Sequence, residues 1–335
     1  MNLETKYLGF TLPNPFIVGA GPIADQVDHA RRFEDAGASM IIMRSLFEEQ
    51  LTAEELAHTR SMDAHANSFA EALTYFPDPA DFVLGPHEYL DKLNELKRAL
   101  TIPVVASLNG VTRGGWLDNA RLFEEAGADA IELHIYSLPT DPQTPGAALE
   151  QRTLEMVQTV RQAVKIPIAV KLSPFYTSVL NVAQQLVGAG ANGLVLFNRF
   201  YHPDIDVEAL EIVSRMGLSN SSDLPLRLRG LALLSGRVRS SLGVTGGVHT
   251  TLDVIKAIMS GADGVQLVSA LLRHGPGHLL QLRRELVGWL EQHEYDSLSQ
   301  MKGSMSFLKC PDPSPFNRAS YIKVLQTWNA GTLNS

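Results

Sequence analysis

Gly246 and Gly247 follow the short apolar run LGVT at residues 242–245. A glycine pair after a strand lets backbone N–H groups approach a ligand with no Cβ in the way. Val254, Ile255 and Ile258 come next at helical spacing. A turn at Gly261, Ala262 and Asp263 then leads into a second apolar run, residues 264–268, ending at Ser269. Two such strand ends side by side suit a phosphate group, although a plain glycine turn would read the same way. Lys171 stands in the apolar segment IPIAVKLS. If Val170 and Leu172 face outward, Lys171 faces inward, where an ammonium needs an anion or a delocalised negative charge beside it. A structural ion pair would meet the same need. Asn198, in VLFNR, can donate and accept at the edge of a planar ring, or cap a loop. Glu132, His134 and Tyr136 alternate along one segment and share a face, taken as inward. Ser137 closes that segment. A lone inward histidine is more often a core residue than a catalyst. Together these residue types suit the gripping of a phosphorylated, ring-bearing ligand.

The elements that must position them form an internal repeat. Four times a helical pattern ends in a small-residue turn and an apolar strand follows: EDAGASMIIMRS to Ser45, EEAGADAIELHIYS to Ser137, VGAGANGLVLFNR to Arg199 and MSGADGVQLVS to Ser269. The glycine suits a left-handed helix end, and the apolar run suits a buried parallel strand. Twice more a helix stops before Ile-Pro and a strand, at residues 101–108 and 165–173. Proline at a strand's entry leaves the ladder intact. With FIVGA at residues 16–20 and LGVT, about eight strands alternate with helical segments, which predicts a (β/α)8 TIM barrel. The whole chain, residues 1–335, is expected to be one domain, with the barrel in 1–293 and a C-terminal extension in 294–335. Insertions follow strand two (residues 47–86) and strand six (residues 200–225), on the face where barrel active sites lie. Phe307, Phe316, Tyr321, Ile322, Leu325 and Trp328 predict that the extension folds back onto the body or onto another subunit.

The 335 residues are 45% hydrophobic with a net charge of −8. That balance predicts no general affinity for nucleic acid or for an anionic membrane. One cysteine, Cys310, excludes an internal disulfide and a multi-cysteine iron–sulfur site on this chain. No metal site is expected. No apolar run approaches the roughly 20 residues that span a bilayer, and no signal-peptide pattern is present, so a cytoplasmic setting is expected. Gly19-Ala20-Gly21 with Ala24 imitates a dinucleotide fingerprint. The acidic residue that motif needs after the next strand is absent, since Met43-Arg44-Ser45 stands there.

Taken in order, VGAGP, Arg44-Ser45, Asn67-Ser68, VKLSP around Lys171, the Asn198 strand end, Gly230, VTGGV and GVQLVSALLRHG resemble the flavin-dependent dihydroorotate dehydrogenases. The likeness is to their soluble class 1 branch or a paralogue beside it, and it runs to about Gly275. It implies an FMN whose phosphate rests on Gly246, Gly247 and the backbone of Val268 and Ser269. The family usually has glycine at the position of Val268. It further implies contacts from Ala20, Gly21, Arg44, Ser45, His134, Asn198 and Gly230 to the cofactor. Lys171 would lie at the flavin's pyrimidine edge, where an ammonium stabilises the negative charge that develops on hydride transfer. Asn67, Asn198 and Arg199 would hold the substrate, and Ser137 takes the position of the base.

The implied reaction is oxidation of dihydroorotate to orotate in pyrimidine synthesis. The strand-four motif departs from the family pattern: two substrate-gripping asparagines are replaced by His134 and Pro139. Loss of such partners weakens recognition by about 1–3 kcal/mol each. The alternatives are therefore a related flavoprotein with another substrate, a flavin-holding subunit with no chemistry of its own, or a barrel that binds a phosphorylated metabolite without flavin. A homodimer is expected by likeness. The electron acceptor is either a soluble molecule such as fumarate or a separate redox partner chain.

Overall fold

The structure, a computed structural model, describes residues 1–47, 86–110, 113–135, 139–199, 203–213, 217–316 and 318–327. Strands β1 (Thr5–Tyr7) and β2 (Phe10–Leu12) form an antiparallel hairpin. Its loop residues Leu8 and Gly9 have φ of 52° and 86°, the left-handed pair that matches the twist of the flanking strands. The alternating part then runs β3 (Phe16–Val18), α1 (Val27–Asp35), β4 (Met40–Phe47), α2 (Pro86–Ala99), β5 (Val104–Gly110) and α3 (Arg113–Glu125). It continues through β6 (Ala130–Ile135), α4 (Gly146–Ala163), β7 (Ile168–Lys171), α5 (Val179–Gly188) and β8 (Gly193–Leu196). A second hairpin, β9 (Asp204–Asp206) with β10 (Glu211–Val213), stands in the insertion before α6 (Leu224–Leu234). The chain goes on through β11 (Ser241–Thr245), α7 (Thr251–Ser260), β12 (Gly264–Leu267), α8 (Ser269–His274) and α9 (Gly277–Gln292).

Eight parallel strands, β3 to β8 with β11 and β12, close into one barrel in chain order, with β12 pairing back to β3. The (β/α)8 TIM barrel expected from the repeat is the fold, and all eight strands lie where the apolar runs place them. The repeated glycine works as anticipated. Gly37, Gly127, Gly190 and Gly261 have φ of 95°, 89°, 111° and 120°. At the first, Gly37 N–H donates to Glu34 O and Ala38 N–H to Phe33 O, which satisfies carbonyls the helix leaves open. At its other end α7 is closed by reciprocal bonds between Thr250 and Asp253.

Apolar side chains divide between two spaces. Outward strand residues such as Val18, Ile41, Val170, Leu172 and Val244 pack under the helices. Inside the barrel Tyr7, Leu8, Leu12, Ile17, Met40, Ile42, Val105, Ala130, Ala169 and Val195 form a separate cluster. The β1–β2 hairpin therefore plugs the barrel from below. The strands make room for it: a Cβ on Gly243 would lie 2.8 Å from Tyr7 Oη, and one on Gly264 3.2 Å from the Tyr7 ring.

Part of the extension folds back onto the body as expected. Asn2 N–H donates to Asp296 O and Leu298 N–H to Asn2 O, where α10 (Leu298–Met301) begins. Backbone bonds from Gly303, Met305 and Phe307 to Ile258, Met259 and Ala232 tie the following turn to α7 and α6. α11 (Ser320–Thr327) leaves Tyr321, Ile322 and Leu325 exposed. Most of the insertion after strand two lies outside the described residues.

Tyr7 is fully buried and its hydroxyl makes no hydrogen bond of ordinary geometry among the described residues; burial, with the nearby Glu132 charge second, raises the phenol's pKa against a weaker opposing pull from Gln266. A buried unpaired hydroxyl costs stability, so Tyr7→Phe should leave the chain as stable or about 1 kcal/mol more stable. Tyr7→Ala should cost about 3–5 kcal/mol by opening a cavity in the plug. Urea unfolding of the two variants checks both, and a Phe variant clearly less stable than wild type would mean that the hydroxyl is bonded.

Candidate active site

Within the barrel, above the hydrophobic plug, sits a carboxylate. Glu132 projects inward from β6 and is fully buried. Its Oε1 accepts from Lys171 Nζ at 3.0 Å and faces His134 Nε2 at 2.7 Å, while Oε2 accepts from Gln266 Nε2 at 2.6 Å. Strand register explains the grouping: His134 and Lys171 are paired across β6 and β7, and Glu132 lies two residues below His134 on the same face. Burial pushes the carboxyl's pKa up, but the Lys171 charge and the His134 bond outweigh it and hold Glu132 at about 2. An ionised carboxylate only accepts, so His134 carries its proton on Nε2. Its Nδ1 then accepts from Ser45 Oγ at 3.2 Å, and Ser45 in turn lies 2.8 Å from Ser107 Oγ. Burial, then the Lys171 charge, lowers the imidazole's pKa against the pull of Glu132, which keeps it neutral at neutral pH. The 3.2 Å approach of Lys171 Nζ to Nε2 is accordingly a contact between two donors. Both ring nitrogens of His134 are thus committed inside the protein.

Ser45 reaches this network through a bulge. The β4–β5 register shifts between Ile42 and Ser45. Ile42 points into the barrel and Met43 outward; without the extra residue Ser45 would point outward too. At this level the Ser107 amide donates to Tyr89 Oη from α2 at 2.8 Å. Arg44, beside Ser45, forms an ion pair with Asp25, and its buried Nε has no partner among the described residues. Burial raises the Asp25 pKa, and Arg44 opposes that rise.

The opposite side of the mouth has a different character. Gly246 and Gly247 have φ of 79° and 83°, conformations that other residues reach only with strain. A Cβ on Gly247 would lie 2.5 Å from Leu224 N, so the turn is packed against the start of α6. Ser269, the first residue of α8, accepts from Ser219 N–H at 3.1 Å through its hydroxyl, and Ser219 Oγ lies 3.2 Å from His249 Nε2. Val268 fits because Gly19 and Gly21 have no side chains: their Cβ atoms would lie 2.8 and 3.0 Å from its γ-carbons.

Ala20, Gly21, Arg44, Ser45, His134, Lys171, Asn198, Arg199, Gly246, Gly247, Val268 and Ser269 therefore all stand at the C-terminal ends of barrel strands or directly after them. Asn198 donates its backbone N–H to Leu172 O, and its side chain has no hydrogen bond among the described residues. Gly230 is placed elsewhere. It lies inside α6, where a Cβ would be 2.5 Å from Leu196 Cδ2 and 2.8 Å from the Phe197 ring, so a helix–strand contact accounts for it. Asn67, Ser68, Tyr136 and Ser137 lie outside the described residues. Sequence reasoning missed Gln266, Ser107, Ser219 and Arg227. Gln266, in GVQLV, carried the same signal as Lys171, a single polar residue in an apolar strand. Among the described residues no group of His, Cys, Asp and Glu is arranged to hold a metal, and Cys310 is a half-buried free thiol in the extension.

Lys171 offsets a buried charge as well as facing the mouth, so its removal cannot be neutral for the fold. Lys171→Met should cost about 3–5 kcal/mol at pH 7, since it leaves Glu132 buried and unpaired. Glu132's folded-state pKa lies below its unfolded value. Its ionisation therefore stabilises the wild type above about pH 4.3, and that contribution is lost as pH falls toward about 2. In the variant the carboxyl takes up a proton more readily, so the deficit should shrink as pH drops from 7 to 5. Adding Glu132→Gln should recover part of it. Urea midpoints across that range decide, and a deficit independent of pH would refute the pairing.

Comparison with known proteins agrees with this geometry. A family model described as dihydroorotate dehydrogenase matches residues 2–290. A dihydroorotate dehydrogenase B (NAD(+)) catalytic subunit from Thermoplasma volcanium is 23% identical over 310 residues, covering 90% of this chain and 98% of its own. One from a Geobacter species is 32% identical over 225 residues, 64% of this chain and 71% of its own. A chloroplastic dihydropyrimidine dehydrogenase (NADP(+)) from Arabidopsis thaliana is 24% identical over 335 residues, 90% of this chain and 76% of its own. With a closed parallel barrel, a polar mouth and a family match over most of its length, the chain belongs to the dihydroorotate dehydrogenase family.

Proposed function

We propose that the protein is an FMN-dependent dehydrogenase that oxidises the carbon–carbon bond of a dihydropyrimidine ring, with dihydroorotate the first substrate to test. The observation that carries this reading is the polarity of the mouth. One side offers paired left-handed glycines and the buried Ser219 bonded to Ser269, which fit a phosphate; the other offers Lys171 and Asn198, whose side chain has no hydrogen bond among the described residues, which fit the edge of a flavin ring. Bound there, the flavin would supply a two-electron acceptor. Lys171, fixed by Glu132, would present its ammonium where negative charge gathers on the ring. Arg44 and Ser45, turned by the bulge, would line the same face. Ser137 would stand as the base, and Asn198 would orient the substrate. Pyrimidine synthesis and a cytoplasmic setting follow from this assignment as further proposals. No helix among the described residues is long and apolar enough to cross a bilayer.

A second reading is favoured by His134. Its two nitrogens are spent on Glu132 and Ser45, so it has none left to grip a substrate carboxylate. A dihydropyrimidine without the carboxylate would not need that grip. Purified protein should be yellow and should be bleached anaerobically by dihydroorotate; bleaching by dihydrouracil alone would select the second reading. Colourless protein that takes up no FMN would refute both.

A homodimer is proposed through the β9–β10 hairpin. Ile205, Val207, Leu210 and Ile212 there are each at least 67% exposed, a concentration of apolar surface that a second copy would cover. Sedimentation should give a dimer for the wild type and a shift to monomer for Leu210→Glu. A separate redox partner would act beside it, since several relatives are named as catalytic subunits.

A further inference from the structure

Arg227 is buried, at 9% exposure. It extends from α6 toward the turn after β11. Its Nε–H donates to Thr245 O at 3.2 Å and its Nη1–H to Asp223 O at 2.7 Å. Both acceptors are carbonyls, which orient a guanidinium without neutralising it. The Asp223 carboxylate is turned to the Asn220 amide instead, at 3.0 Å. No ion pair to Arg227 occurs among the described residues. Burial lowers the guanidinium's pKa; the Asp223 charge opposes that, and the Arg199 charge adds to it. A second cation near a buried cation makes the local imbalance worse. Yet the third arm is aimed. Nη2 lies 3.2 Å from the point where a Cβ on Gly246 would be, beside the left-handed pair of glycines. Arg199 reaches the same region, its Nη2 3.9 Å from where a Cβ on Gly217 would lie.

Buried charges persist when they are paired, and the guanidinium fork matches phosphate oxygens. We infer that Arg227 is a phosphate ligand, whose Nη2 edge joins the Gly246–Gly247 turn in holding the dianionic end of a phosphomonoester. Two carbonyl bonds fix the fork before the ligand arrives, so little rotamer freedom is lost on binding. The identity of that ligand as FMN rests on the reading above; the phosphate contact does not. Arg227 thereby sets the preference for the phosphorylated over the unphosphorylated form of the cofactor.

The test compares FMN with riboflavin, each titrated into flavin-stripped full-length protein and followed by quenching of flavin fluorescence. Arg227→Gln should weaken FMN roughly ten- to a hundredfold and leave riboflavin unchanged. Arg227→Lys, which keeps the charge and loses the fork, should fall between. Equal weakening of both flavins would mean that Arg227 only braces the turn, and no weakening of either would mean that it plays no part; both results overturn the inference. If the wild type binds neither flavin, the flavin reading falls, and inorganic phosphate becomes the probe. A phosphate-dependent rise in melting temperature that Arg227→Gln abolishes then upholds Arg227. Absence of that rise in the wild type overturns it.

Discussion

The barrel's upper half is organised around one buried negative charge. Glu132 has no exposure to solvent, and such a group survives only with donors on every side. They come from three strands: Lys171 on β7, Gln266 on β12 and His134 on β6 itself. The carboxylate thus fixes the lysine's position, the imidazole's tautomer and, through the imidazole, the rotamer of Ser45. Removal of the charge would loosen all three together. Their position at the mouth is a property of the interior of the barrel, and the loops above it do not set it.

Two sides of the mouth then differ in how they meet a ligand. On the lysine side, polar groups are tied into a chain of bonds and few remain open. On the glycine side, the backbone turns left-handed twice, serines bond to one another, and a guanidinium is held only by carbonyls. The first side suits a ring whose charge changes during reaction. The second suits a group whose charge is permanent.

Much of the fold was legible in the sequence because its signal was repeated. Four glycine turns before apolar runs and two Ile-Pro entries placed six of the eight strands, and the apolar runs at residues 16–20 and 242–245 placed the other two. The two hairpins were not legible. Strands of three residues give too short an alternation to read, and Leu8-Gly9 is not the Asn-Gly pair that marks such a turn. In the site, Lys171 was found as a charge in an apolar strand, and its orientation followed from Val170 and Leu172. Its partner was less clear, because spacing along one strand cannot show which neighbour a side chain meets across the ladder. Gly230 has a packing role that the sequence did not show: a Cβ there would meet Leu196 and Phe197. Arg227 lay unnoticed in an apolar helix among other basic residues, and only burial separates it from them.

Val268 occupies the space that Gly19 and Gly21 leave empty. A branched residue there is tolerated only while both glycines stay, and a side chain larger than hydrogen at either of them would need position 268 to shrink. The three positions thus form one steric unit spanning the barrel's seam, where the last strand meets the first. In any descendant of this chain, drift at one of them is confined by the other two.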